Sequence, residues 1–237
     1  MSERWHDALD WRPGPDDVID IWRLNLTFHE EDWSLLSADE AENAKRLVIE
    51  EKRHQKVSAR AHLRRILARY VDVDSKRLIF EYGIHGKPRL ADYEEPNFNL
   101  SHSHGIGLVA VTQGVRIGVD VEYRQEDRIF TEIANRFFSE TENSGFNQLP
   151  PDERTTAFYQ TWVRKEAYLK AWGTGLSFAS NRFTLDNVGN SAECLVSTEI
   201  PGDNPVDWHF EDIDLVADYV SAICFEGVGR PLRYWNA

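Results

Sequence analysis

Asp120 and Glu122, set one residue apart in Gly118-Val119-Asp120-Val121-Glu122, are the most chemically pointed pair in the sequence. On an extended strand that spacing puts both carboxylates on one face and Val119 and Val121 on the other. Paired oxygen ligands of this kind suit a hard divalent cation of the magnesium type, which keeps several waters and leaves positions for substrate phosphates. The same spacing also occurs on the outward side of an ordinary edge strand, so the pair alone leaves both readings open. A third acid, Glu166 in Trp162-Val163-Arg164-Lys165-Glu166-Ala167, could complete a metal site from a later helix. Lys170 follows it by four residues and falls on the same helix side, so an acid and a base can face one pocket. His102, in Asn99-Leu100-Ser101-His102-Ser103, reads as a donor to phosphate, since no cysteine cluster accompanies it to suggest zinc.

A cationic run precedes these groups. Lys45, Arg46, Lys52, Arg53, Lys56, Arg60, Arg64, Arg65 and Arg69 lie close together in a chain whose formal net charge is −13. The overall charge argues against a nucleic-acid surface, which needs a concentrated basic footprint. A local basic island in an acidic protein points instead to a small, multiply phosphorylated ligand. Arg53, Arg60 and Arg64 fall within roughly 40° of one another on a helical wheel.

The elements that must position these side chains follow from periodicity. Residues 18–26 alternate as a strand, Ser37-Ala38-Asp39-Glu40 forms a capping box, and apolar residues from Val57 to Tyr70 recur at helical spacing. Leu78–Tyr82 reads as a strand, and Gly83–Pro88 as a turn carrying Lys87. Phe98–Ser103 and Gly107–Thr112 flank Gly105 as a hairpin, followed by the Asp120 strand. Ile129–Phe138 has helical spacing, Ser144–Arg154 reads as a polar connector, and Thr156–Trp172 is a second long helix. Short strands follow at 182–185, 207–210 and 219–225. The order helix, strand, hairpin thus occurs twice, and predicts an α+β fold of two similar subdomains, residues 1–117 and 118–237, with a site where they meet.

An apolar fraction of 41% is enough for a packed core. No run of transmembrane length is present, and charges stud the first thirty positions, so a cytoplasmic protein without membrane contact is expected. Cys194 and Cys224 are too few for a disulfide framework and read as two buried thiols.

Taken in order, Gly86-Lys87-Pro88, Phe98-Asn99-Leu100-Ser101-His102-Ser103, Gly118-Val119-Asp120-Val121-Glu122, Arg136-Phe137-Phe138-Ser139, Trp162 through Lys170, and Gly173-Thr174-Gly175-Leu176-Ser177 resemble the Sfp type of 4′-phosphopantetheinyl transferase. The resemblance runs from about Ser37 to Leu185. It implies a pseudo-twofold α+β fold with the active site at the subdomain interface. It also implies transfer of the phosphopantetheine arm of coenzyme A to a serine of an apo acyl or peptidyl carrier protein, with release of adenosine 3′,5′-bisphosphate. Asp120, Glu122 and Glu166 are then the Mg2+ ligands. Arg53, Arg60, Lys87, Ser101 and His102 match coenzyme A contacts, and Lys170 matches the lysine that meets the diphosphate. Glu166 becomes the general base, while Lys170 and His102 absorb charge on the leaving group. Gln55-Lys56 departs from the family, which often has a second arginine shortly after the one matching Arg53.

The carrier would belong to a fatty acid, polyketide, nonribosomal peptide or another pathway, and a chain with its own internal duplication is expected to act as a monomer. Two rival readings remain at this level. A metal-dependent phosphodiesterase or nuclease would use the same carboxylates, against the acidic surface. A non-catalytic coenzyme A or nucleotide-binding module would explain the arginines and leave the carboxylates idle.

Overall fold

The computed structural model describes residues 4–125, 130–174, 178–186 and 195–237. The expected start of the third helix at Ile129, the Gly175-Leu176-Ser177 part of the glycine motif, and Cys194 lie outside them. Chain order within the described residues is β1 (Trp5–Asp7), β2 (Ile19–Asn25), α1 (Ala38–Lys45), α2 (Glu50–Val71), β3 (Phe80–Tyr82), β4 (Pro88–Leu90), β5 (Asn97–Ser103), β6 (Ile106–Thr112) and β7 (Ile117–Tyr123). There follow α3 (Phe130–Phe137), α4 (Glu140–Gln148), α5 (Pro151–Trp172), β8 (Phe183–Leu185), β9 (Leu195–Thr198), β10 (Trp208–Asp212), β11 (Tyr219–Glu226) and β12 (Leu232–Asn236). The fold is α+β, as the periodicity implied. No helix among the described residues is long and apolar enough to cross a membrane.

The chain divides into two compact units. One comprises Met1–Tyr82, Pro88–Gly114 and Pro231–Ala237; the other comprises Gly83–Lys87 and Val115–Arg230. This division departs from 1–117 and 118–237 at three places: the hairpin tip carrying Lys87 and residues 115–117 go with the second unit, and the β12 segment goes with the first.

In the first unit a five-stranded sheet has the order β1-β12-β2-β6-β5, parallel from β1 to β2 and antiparallel beyond. Ala59, Leu63, Ile66 and Leu67 of α2, spaced to share one helix face, pack with Trp22, Leu24, Phe98, Val109 and Val111 of the sheet. Ser37 caps α1: its hydroxyl accepts from the Glu40 N–H at 3.3 Å, and the Glu40 carboxylate accepts from the Ser37 N–H at 2.8 Å. The buried Asp20 of β2 draws distant segments together. Its carboxylate accepts hydrogen bonds from Trp11 Nε1 at 3.0 Å, the Tyr70 hydroxyl at 2.7 Å, Trp235 Nε1 at 2.8 Å and the Arg233 guanidinium at 2.7 and 2.9 Å.

In the second unit the antiparallel sheet β10-β11-β7 lies against α5, and β8 pairs with β9. The stretch read as a polar connector is helical. Ser139 caps α4 through a second capping box with Glu142, the same signature recognised at Ser37. Pro151 then opens α5, where a missing N–H costs nothing. The strands β1, β4, β9 and β12 also went unpredicted. Each is short, and β1 and β12 take their place by pairing with residues remote in sequence.

Candidate active site

Gly118 explains how α5 comes to serve β7. A Cβ at that position would lie 2.0 Å from the Ala167 carbonyl oxygen and 2.4 Å from the Ala171 amide nitrogen. Strand and helix backbones therefore touch, which only glycine permits. Asp120 and Glu122 share the strand face of Gly118 and so turn toward α5. Along α5, residues 163–165 and 167–169 are buried, whereas Trp162, Glu166 and Lys170 are half-buried. That stripe, spaced by four, is the accessible edge of the helix.

The side chains meet accordingly. Lys170 Nζ donates to Asp120 Oδ1 at 2.5 Å, and Asp120 itself is buried. Burial pushes the Glu166 carboxyl up to about 7; repulsion from Asp120 and Glu122 adds to the rise, and Lys170 opposes it. Asp120 and Glu122 of β7 thus both act on Glu166 of α5. Carboxylate oxygens held near one another in partial burial are the donor chemistry a hard divalent cation takes, and the Lys170 ammonium beside Asp120 shows that the corner draws positive charge. As placed, no group of three or more His, Cys, Asp or Glu side chains among the described residues is arranged to hold a metal ion. The cation beside Asp120 is Lys170.

Neighbours of Glu166 do structural work. Lys165, wholly buried, donates to both Glu142 carboxylate oxygens at 2.8 and 2.7 Å and to the Phe183 carbonyl at 2.9 Å, while the Leu185 N–H also donates to Glu142. Arg164 makes a two-point contact with Asp212 at 2.8 and 2.6 Å. Lys87 Nζ donates to the carbonyls of Ile117 and Ala171, both at 2.9 Å, so it ties the start of β7 to the end of α5. Burial pushes the Lys87 ammonium down to about 8.

In the first unit, a pocket of about 250 Å³ is lined by residues including Lys56, Arg60, Tyr82, Leu100 and His102, with Glu40 in its wall. Arg60 and His102, both singled out in the sequence, come together here. Ser101, between Leu100 and His102 on β5, is buried and alternates to the other strand face. Arg53 donates to the Leu47 carbonyl at 3.2 Å and approaches Glu50 at 3.8 Å; it is not among the residues lining this pocket. Sequence reasoning missed Glu40 and Tyr82 as pocket residues. The signal for Glu40 was present but absorbed by its capping role, and Tyr82 reaches the pocket through a β3–β4 pairing that periodicity does not report.

An α+β chain with a strand pair of carboxylates, a helix-borne glutamate and a lysine beside them has the parts of a phosphoryl-transfer enzyme. The model of the 4′-phosphopantetheinyl transferase superfamily matches residues 116–224, the span that holds all four groups. The chain is 35% identical to the 4′-phosphopantetheinyl transferase HetI of Nostoc sp. over 241 aligned positions, covering 95% of this chain and 98% of that protein. It is 30% identical to the 4′-phosphopantetheinyl transferase Sfp of Bacillus subtilis, over 85% of this chain and 87% of that one. A further 4′-phosphopantetheinyl transferase from Bacillus subtilis is 32% identical over 84% and 87%. The chain belongs to the 4′-phosphopantetheinyl transferase superfamily and is an enzyme of the Sfp type.

Proposed function

We propose that the protein moves the 4′-phosphopantetheine arm of coenzyme A to a serine of an apo acyl or peptidyl carrier protein, with Mg2+, acting as a monomer. The observation that carries this reading is the ion pair of Lys170 with the buried Asp120, one helical turn from Glu166, on a face fixed by Gly118. Transfer of a phosphoryl group demands placement and charge neutralisation more than covalent work. Asp120, Glu122 and Glu166 would hold Mg2+, which supplies charge neutralisation on the diphosphate when bound.

The chain's own groups do the rest. Lys170 places an ammonium where negative charge grows on the leaving bisphosphate. Glu166, at the accessible edge of α5, takes the proton from the incoming serine hydroxyl, which is a weak nucleophile until it loses it. Arg60 and Lys56 bring positive charge, and His102 a ring N–H donor, to phosphate in the first unit's pocket, and Arg53 and Ser101 are further contacts of the same substrate. Lys87 acts on the same reaction by holding β7 against α5.

The decisive experiment is mass spectrometry of apo carrier proteins incubated with coenzyme A and magnesium. The expected product is heavier by about 340 Da, the arm moved in a phosphoryl-transfer step. Glu166→Gln should lower turnover by roughly 10²-fold or more, as for loss of a general base. No mass gain on any of several carriers, or turnover within about threefold of wild type in the variant, contradicts the reading or the role of Glu166 respectively.

A further inference from the structure

Glu40 stands in the pocket wall as a carboxylate in a site whose other charged groups are cations. It is buried, and every one of its contacts ties it down. Its Oε2 accepts from the Ser37 N–H at the start of α1 and from Arg64 Nε at 2.8 Å, and its Oε1 accepts from Arg60 Nε. Arg64 is itself buried and anchored by the Ser75 and Leu78 carbonyls at 2.9 and 3.0 Å. Burial alone would raise the Glu40 carboxyl, but the Arg60 charge together with hydrogen bonds from Arg64, the Ser37 N–H and Arg60 holds it below the usual range.

Arg60 is fixed on its other sides as well. One Nη2 hydrogen bond goes to the Tyr82 hydroxyl, and the guanidinium lies over the Phe80 ring with 4.2 Å between Cζ and the centroid. Among the described residues Glu40 and Tyr82 take Nε and Nη2, which leaves the Nη1 donors of the fork for a ligand. A guanidinium already held in one orientation loses little freedom on meeting a phosphate. The negative charge this requires is offset by Arg64, so the Glu40–Arg60–Arg64 group stays cationic by one unit. The pocket's cations suit a phosphorylated end of coenzyme A.

We propose that Glu40 is a positioning residue for substrate binding, holding Arg60 with Tyr82 as its second clamp so that the guanidinium meets the 3′-phosphate of coenzyme A. The assignment rests on the coenzyme A reading above and adds to it a residue that acts through Arg60. Binding of adenosine 3′,5′-bisphosphate measured by calorimetry, which needs no turnover, tests it apart from that reading. Glu40→Gln should weaken this ligand about tenfold, the scale of one lost charged contact, and leave adenosine 5′-monophosphate nearly unchanged. Exposed Tyr82→Phe, which leaves the core intact, should weaken it about two- to threefold with the same selectivity. In turnover, both variants should raise KM for coenzyme A while kcat changes by less than about twofold, and should leave KM for 3′-dephospho-coenzyme A in place. Equal weakening of both nucleotides, unchanged or tighter binding of the bisphosphate, or a fall in kcat and melting temperature with KM preserved would each overturn the proposal. If no carrier is modified while the calorimetric selectivity holds, the transferase reading fails and the positioning role of Glu40 stands.

Discussion

Gly118 is the residue on which the site's geometry turns, because the backbones of β7 and α5 meet at its missing side chain. Overpacking usually costs about 1–3 kcal/mol, and more where the surroundings cannot yield. Here the clashing atoms are backbone atoms at 2.0 and 2.4 Å, which no rotamer change relieves. Gly118→Ala should therefore destabilise by at least about 3 kcal/mol, read as a lowered urea midpoint, and should also cut turnover by moving Glu166 away from Asp120. An unchanged midpoint would show that the strand and helix do not touch as described. Asp120, Glu122, Glu166 and Lys170 were legible in the sequence because their spacings, by two on a strand and by four on a helix, survive without knowledge of the fold. The partners of Lys165, Lys87 and Arg60 were not legible. Each depends on contacts between elements, Lys165 with Glu142, Lys87 with two carbonyls, Arg60 with Glu40 and Tyr82.

At the level of elements, the Lys165–Glu142 pair joins α5 to the start of α4 and to β8 one residue before Glu166. Glu142→Gln keeps the shape and an oxygen for the Leu185 N–H, yet removes the carboxylate charge that faces the buried Lys165 ammonium. Breaking one side of such a pair costs about 3–5 kcal/mol. Denaturant titration should show that loss as a shifted midpoint with unaltered slope. A loss below about 1 kcal/mol would mean the lysine reaches water, contrary to its burial. Helix α4 is also where the sequence reading failed most plainly. Gly145, Pro150 and Pro151 suggested a connector, but Pro151 sits at the first position of α5, and the Ser139–Glu142 capping box starts α4 despite Gly145. The helices α2 and α5 and the hairpin β5–β6 were predictable because long periodic segments outweigh such local signals.

Taking the molecule whole, the last strand belongs to the first compact unit and not with the expected 118–237 subdomain, and that placement is informative. Residues 231–237 sit between β1 and β2, and Arg233 and Trp235 complete the donors around Asp20. Sequence periodicity had no means of finding a strand whose neighbours lie more than two hundred residues away, as the Arg233–Asp20 separation of 213 shows. A chain ending at Arg230 would expose one side of β2, strip β1 of its pairing strand and leave the Asp20 carboxylate short of the Arg233 charge. It should be recovered mainly in the insoluble fraction, and supplying residues 231–237 as a separate peptide should raise the soluble yield. A soluble, cooperatively melting 1–230 chain would show that the sheet closes without β12.

The position of β12 also bears on how the protein is made. Synthesis runs from the N-terminus, so every residue from Val115 to Arg230 emerges before the strand that completes the sheet begun by β1 and β2. The usual order, in which the first domain to leave the ribosome folds first, is closed to this chain. Its first unit waits with an apolar strand edge unpaired, the kind of edge on which nascent chains stick to one another.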